Sequence, residues 1–141
     1  MSNRKIALVT GGNRGIGLQV VRELLQLEFE VVLSCRNLEE GKEATRAWGP
    51  LLECLSFLAL DVSDSRLVTQ AAEQFGEQFD RLDVLVNNAG ILLDASESIL
   101  SVSEDTIAKS INTNAIGPLR VTRAFLPFLK NSEGARVINV S

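Results

Sequence analysis

The sequence contains no histidine and no tyrosine. Without His there can be no Ser-His-Asp triad, and the commonest zinc ligand is missing. The two cysteines, Cys35 and Cys54, stand far apart in no metal-type spacing, which suits a reducing cytoplasm. No apolar run approaches the ~20 residues that cross a bilayer, so no membrane contact is expected. Residues 1–5 lead straight into an apolar strand and leave no room for a signal peptide. Basic residues are the minority, 14 against 18 acidic, and form no tract. Nucleic acid is therefore not expected as a partner. Repeats, low-complexity tracts and linkers are also missing. What remains is 141 residues at 45% hydrophobic content, enough for one globular domain with a core of its own.

The chain is organised around residues 10–17, Thr-Gly-Gly-Asn-Arg-Gly-Ile-Gly. An apolar run, Ile6, Ala7, Leu8 and Val9, precedes it and reads as a buried strand. Residues 15–28 follow, with Ile16, Val20, Val21, Leu24 and Leu25 at helical spacing. A Gly-rich turn between strand and helix lets the backbone come close to a ligand. The helix start then offers free N–H groups and a partial positive charge, which suit a pyrophosphate. The spacing is T-G-x-x-x-G-x-G. It is neither the G-x-G-x-x-G fingerprint nor a P-loop, because no Gly-Lys-Ser/Thr follows.

Strand and helix patterns alternate after that. Strands are expected at residues 4–9, 30–35, 54–60, 82–86 and 136–140. Helices are expected at 15–28, at 38–48 up to the Gly49-Pro50 breaker, and from a cap at Ser63 or Asp64 to about residue 79. A long helix should run from Ser103 to about Lys130, with Ile107, Ile111, Ala115, Leu119, Thr122 and Leu126 facing inward. This alternation predicts an α/β fold, a Rossmann-type doubly wound parallel sheet in three αβα layers. Ligands of such sheets bind beyond the carboxyl ends of the strands. Polar and small residues collect there: the Gly turn, Cys35-Arg36-Asn37, Asp61-Val62, Asn87-Asn88-Ala89-Gly90 and Ser141.

The end of the second strand bears on the cofactor. An NAD site usually places an acid there for the ribose 2′-hydroxyl. This chain has Cys35 and then Arg36, with Arg14 inside the Gly turn. Two guanidinium groups suit a 2′-phosphate and favour NADP over NAD, although each arginine alone reads equally as a solvated surface residue. Asp61 could accept from an adenine amino group with Val62 beside the ring, or could simply cap a turn. Asn87 and Asn88, with Ala89 and Gly90, leave room for a ribose, or form a plain Asx turn. Asn114 reads either as a solvent-facing helix residue or, being next to the inward stripe, as a buried amide that needs partners. Bland readings suit Cys35 and Cys54 as small hydrophobes, Trp48 as a packing residue and the acids of residues 39–43 as a solvated helix face.

Taken together, residues 10–17, Asp61, the Asn-Asn-Ala-Gly of residues 87–90, and Asn114 with Gly117 resemble the N-terminal part of a short-chain dehydrogenase/reductase. The Gly turn and the Ser-Cys-Arg-Asn strand end are most similar to the NADPH-using, carbonyl-reductase-like members. The resemblance covers essentially the whole chain and implies one NAD(P)-binding domain. It implies that Gly11, Asn13, Arg14, Gly15, Ile16 and Gly17 line the pyrophosphate and adenosine-ribose side, and that Arg36 meets the 2′-phosphate. Asp61 and Val62 would flank adenine, Asn88 with Ala89 and Gly90 would meet the cofactor ribose, and Asn87 would brace the central strand. Asn114 corresponds to the family's catalytic Asn, which disturbs its helix and helps hold a water in a proton relay. The implied reaction is hydride transfer between NADP(H) and a small carbonyl or alcohol substrate. Homo-oligomers are known in the family, as are monomers.

The pattern breaks at the chemistry. The family uses a Ser and a Tyr-x-x-x-Lys, because an alkoxide developing in hydride transfer needs a tuned proton donor. This chain has no Tyr, and Ser141 matches the Ser before the catalytic one. The expectation is therefore a cofactor-binding part without its catalytic part, inactive alone. A non-catalytic NADP-binding module or an inactive truncated product is the alternative, and a sugar-nucleotide epimerase is disfavoured by the Gly spacing.

Overall fold

The computed structural model describes residues 3–90 and 100–140. Ser141, expected at the end of the fifth strand, lies outside the described residues. Five strands, β1 (Ile6–Thr10), β2 (Glu30–Cys35), β3 (Leu55–Ala59), β4 (Val84–Asn87) and β5 (Arg136–Asn139), form one sheet in the order β3-β2-β1-β4-β5. Every pairing is parallel. The order reverses between β1 and β4, so a crevice opens where those two adjacent strands end.

The helices are α1 (Gly15–Gln26), α2 (Leu38–Thr45), α3 (Ser65–Gln78), α4 (Glu104–Ile111) and α5 (Gly117–Lys130). Alternate residues of the buried strands feed two cores, as a period of two requires. Leu8, Val32, Leu58 and Leu85 pack with Val68 and Phe75 of α3 and with Val121, Phe125 and Leu129 of α5. Val9, Val31, Leu33 and Val86 point the other way, onto Val21 and Leu25 of α1. The doubly wound sheet expected from the alternation is the fold found.

Three helices that begin at loops carry side-chain caps. Asn37 accepts from Glu39 N, Asp64 from Arg66 N and Leu67 N, and Ser103 from Thr106 N. Helix α1 has no such cap and no acid in its first turn. At its other end, Phe29 N donates to Leu24 O and Glu28 N to Leu25 O, with Glu28 at φ 69°. This is a Schellman closure with Glu in the position usually held by Gly. The helix expected to reach residue 28 therefore stops at Gln26.

Two further expectations are corrected. The helix expected to reach residue 48 stops at Thr45, and Gly49–Cys54 forms a 3-10 turn. The helix expected over 103–130 is interrupted by a π turn, Asn112–Ile116. Its expected inner stripe lies largely outward: Ile107, Ile111, Ala115, Leu119 and Leu126 are exposed and Thr122 is half-buried. The buried stripe is Gly117, Val121, Phe125 and Leu129. Helix α5 is apolar on both faces, so periodicity does not choose between them. Packing does: the Phe125 ring meets Phe75 edge-on at 5.3 Å, and Phe128 meets Phe75 at 5.0 Å. Full burial of such a side chain stabilises by about 1.5–3 kcal/mol, more than a half-exposed Leu126 can return.

At the amino-terminal end of the strands, buried Asp83 joins three strands. Its carboxylate accepts from Ile6 N (2.8 Å), Ser132 Oγ (2.7 Å) and Arg81 Nε (3.1 Å). Its backbone N–H donates to Ile6 O, and its carbonyl accepts from Arg136 N. Burial alone would raise its pKa. The bonds from Ser132 and Ile6 and the Arg81 charge outweigh burial and hold the carboxyl below its ordinary value.

Candidate functional site

The site is assembled at the carboxyl ends of β1, β2 and β4. Thr10 closes β1 and is buried. Its Oγ1 accepts from both Asn88 N and Ala89 N at 2.9 Å, and donates to Val86 O at 3.4 Å. One hydroxyl thus ties the Gly turn to residues 87–90. Asn88 strengthens the tie, its Nδ2 donating to Gly11 O at 3.1 Å. On the other side Gly12 N donates to Ser34 O at 3.0 Å, which sets the turn against β2 two residues before Arg36.

The glycines divide into two kinds. A Cβ on Gly17 would overlap Asn88 Nδ2 and Gly11 O, so this glycine lets protein close on protein. Gly15, at φ +58°, would place a Cβ in open space and is exposed at the start of α1. The first N–H groups of α1 have no side-chain cap and, as in any helix, no intrahelical acceptor. Ile16 beside them is 65% exposed.

Arg14 and Arg36 are both exposed, and neither forms an ion pair among the described residues. Asn13 turns to α2, its Nδ2 donating to Glu40 Oε2 at 3.0 Å. Cys35 is buried under this corner, its Sγ donating to Asn37 O at 3.1 Å, and burial, with the nearby Glu40 charge, pushes its thiol up. Its side chain packs in the core on the α1 side of the sheet. Cys54 is half-buried, and Trp48 packs on the α1 side of the sheet with Arg22 stacked 5.9 Å above its ring.

Asp61 behaves as a turn residue, its Oδ1 accepting from Ser63 N (3.0 Å) and Ser63 Oγ (2.6 Å). The Val62 side chain is buried in the core, and its carbonyl accepts from Arg120. Asn87 braces β4: its Nδ2 donates to Asn139 Oδ1 (3.0 Å) on β5 and to Thr122 Oγ1 (3.3 Å) on α5. Its Oδ1 is buried without a partner among the described residues.

Asn114 sits in the π turn and is exposed, the solvent-facing one of the two readings its place in the sequence allowed. The wide turn brings it to the crevice nonetheless, since a Cβ on Gly90 would lie 3.0 Å from Asn114 Oδ1. The structure thus brings the Gly turn, residues 87–90 and Asn114 around one crevice, with Arg36 at its β2 side and Asp61 at the end of β3. Sequence reasoning missed Glu40, whose only signal was its place in an acidic helix face, and Arg120, which carried no signal. Thr10 was visible only as the first letter of the Gly motif.

A family profile described as short chain dehydrogenase matches residues 5–141. The chain belongs to the short-chain dehydrogenase family. Within that family it is 37% identical to a (+)-neomenthol dehydrogenase of Arabidopsis thaliana, over 97% of this chain and 53% of the relative. The NADPH-bound carbonyl reductase from chicken fatty liver superposes with a TM-score of 0.87 at 32% identity, over 99% of this chain and 60% of that one. The NADP complex of Pseudomonas aeruginosa RhlG superposes at 0.86 with 30% identity, over 99% and 54% respectively. The chain spans about half the length of the curated short-chain dehydrogenases it matches. Among the described residues, no helix is long and apolar enough to cross a membrane, and no His, Cys, Asp and Glu gather as a metal site.

Proposed function

We propose that this chain is the NADP(H)-binding domain of a short-chain dehydrogenase/reductase that reduces a small carbonyl or oxidises a secondary alcohol. The observation that carries the proposal is the uncapped, acid-free start of α1 beside two arginines without an ion-pair partner among the described residues, when the helices capped by Asn37, Asp64 and Ser103 need no ligand. Such a start suits a pyrophosphate, and two free guanidinium groups suit a further phosphate. The open Gly15 position lets a ligand approach the backbone. NADP bound to the two solved relatives supports the same assignment.

Gly11, Asn13, Gly15, Ile16 and Gly17 are proposed to form the pyrophosphate and ribose wall, with Arg14 and Arg36 on the 2′-phosphate. The free Asp61 oxygen and the Val62 N–H would meet adenine, and Asn88, Ala89 and Gly90 the second ribose. When bound, the dinucleotide supplies a hydride at its nicotinamide ring. The work of this chain's residues is to hold and orient it, and Asn114 would hold a water for proton delivery at the mouth of the crevice. The 141-residue polypeptide has no Tyr to act as the family's proton donor, so alone it is expected to bind without turnover. We place the protein in the cytoplasm, on its two free cysteines.

Calorimetric titration with NADPH and NADH, alongside Arg36→Asp, tests the proposal. Tighter binding of NADPH, reversed in the variant, is the expected result. Binding of neither dinucleotide by a folded chain would overturn it. Carbonyl reduction above background by the purified chain would overturn the statement that it is inactive alone.

A further inference from the structure

Arg120, in the first turn of α5, contacts both the loop after β3 and the π turn. Its Nη1 donates to Val62 O and to Asn112 O, each at 3.2 Å, and its Nη2 to Asn112 Oδ1. Its Nε donates to Ser65 Oγ at 3.1 Å. Asn112 reaches back, its Nδ2 donating to Ser63 O at 3.0 Å. The Val62 side chain also packs against the Gly117 backbone, since a Cβ on Gly117 would lie 2.9 Å from Val62 Cγ2. No carboxylate pairs with Arg120 among the described residues. The cation is satisfied by carbonyl, amide and hydroxyl oxygens from two segments, a task for a planar fork with five donors and not for a lysine point charge.

The two segments have different duties. The loop holds Asp61 and Val62, with Asp61 gripping Ser63. The π turn begins at Asn112 and carries Asn114, two residues on, to Gly90. Turns of this width are rare and persist where surrounding contacts hold them. Asn112 is held through both its carbonyl and its side chain, and both bonds come from the residue that also holds Val62.

We propose that Arg120 is a positioning residue that couples the adenine end of the crevice to Asn114, so that an adenosine phosphate seated at Asp61 and Val62 adjusts the turn presenting Asn114. The proposal rests on the cofactor-site reading above and adds to it a route between the two ends of the site.

The test is two-dimensional amide NMR of the 141-residue chain titrated with adenosine 2′,5′-bisphosphate, which has the adenine and 2′-phosphate but no nicotinamide. In the wild type, the Gly15 and Val62 amides should shift, and the Asn114 backbone and side-chain amides should shift with them. In Arg120→Gln and Arg120→Lys the first group should still respond, while the Asn114 response falls by more than half. Lysine should not restore it, because it keeps the charge and loses the fork. Shifts at Gly15 and Val62 without any at Asn114 in the wild type would overturn the coupling alone. An undiminished Asn114 response in either variant would do the same. No shift at any residue would overturn the cofactor-site reading, and the coupling with it. A wild-type titration without an Asn114 response overturns the coupling even if a variant fails to fold.

Discussion

The hydroxyl of Thr10 lies 2.9 Å from the backbone nitrogen of Asn88 and accepts its hydrogen bond, although the two residues are 78 positions apart. The same oxygen accepts from Ala89 N. One buried hydroxyl therefore ties the ends of β1 and β4 together at the crevice, beside the bond from Asn88 to Gly11. Thr10→Val keeps the shape and leaves two N–H groups without that acceptor. It should cost about 2 kcal/mol in urea unfolding, the range for stranded buried donors. NADPH affinity should fall with it. Thr10→Ser should retain most of both, and a Val variant as stable as the wild type would contradict this account.

Glu40 sets a negative charge beside the Gly turn through its bond to Asn13. A charge there opposes a 2′-phosphate more than a 2′-hydroxyl. Glu40→Gln should tighten NADPH binding about two- to fivefold, the scale of an exposed charge interaction, and leave NADH nearly unchanged. Equal changes for both dinucleotides, measured by the same calorimetry, would place Glu40 away from the 2′-position.

The lowered pKa of Asp83 makes stability depend on pH in one direction. Because the folded-state value lies below that of the unfolded chain, its contribution is complete at neutral pH. It declines as pH falls below the ordinary carboxylate value of about 3.9 and is lost once pH passes below the folded value. Asp83→Asn should lower stability at pH 7 and flatten the acid limb of a stability-against-pH curve from urea melts. An acid limb of unchanged slope would show that other carboxylates account for it.

Glu28 holds a left-handed conformation that favours glycine. Glu28→Gly should raise the unfolding free energy by roughly 1 kcal/mol, since the helix closure needs no side chain at this position. Thermal melts of the two proteins give the comparison, with an unchanged or lower midpoint as the contrary result.

Much of this molecule can be read from local pattern. Short apolar runs bounded by Gly, Asn and Asp mark strands, and the Gly turn after the first of them marks the ligand end of the sheet, because both signals depend only on neighbouring residues. The inner face of α5 cannot be read this way. Leu119 and Leu126 are as apolar as Val121 and Phe125, and only the Phe75 ring on α3 decides which pair is buried. Nor does sequence place Asn114, whose approach to Gly90 depends on a π turn held by Arg120 from beyond it. The sequence by itself determined the α/β order, the strand ends and the set of residues gathered there. Tertiary structure decided which helix face is buried, how Thr10 joins two distant turns, and that Val62 spends its side chain in the core, because each of these is set by contacts between residues far apart in the chain.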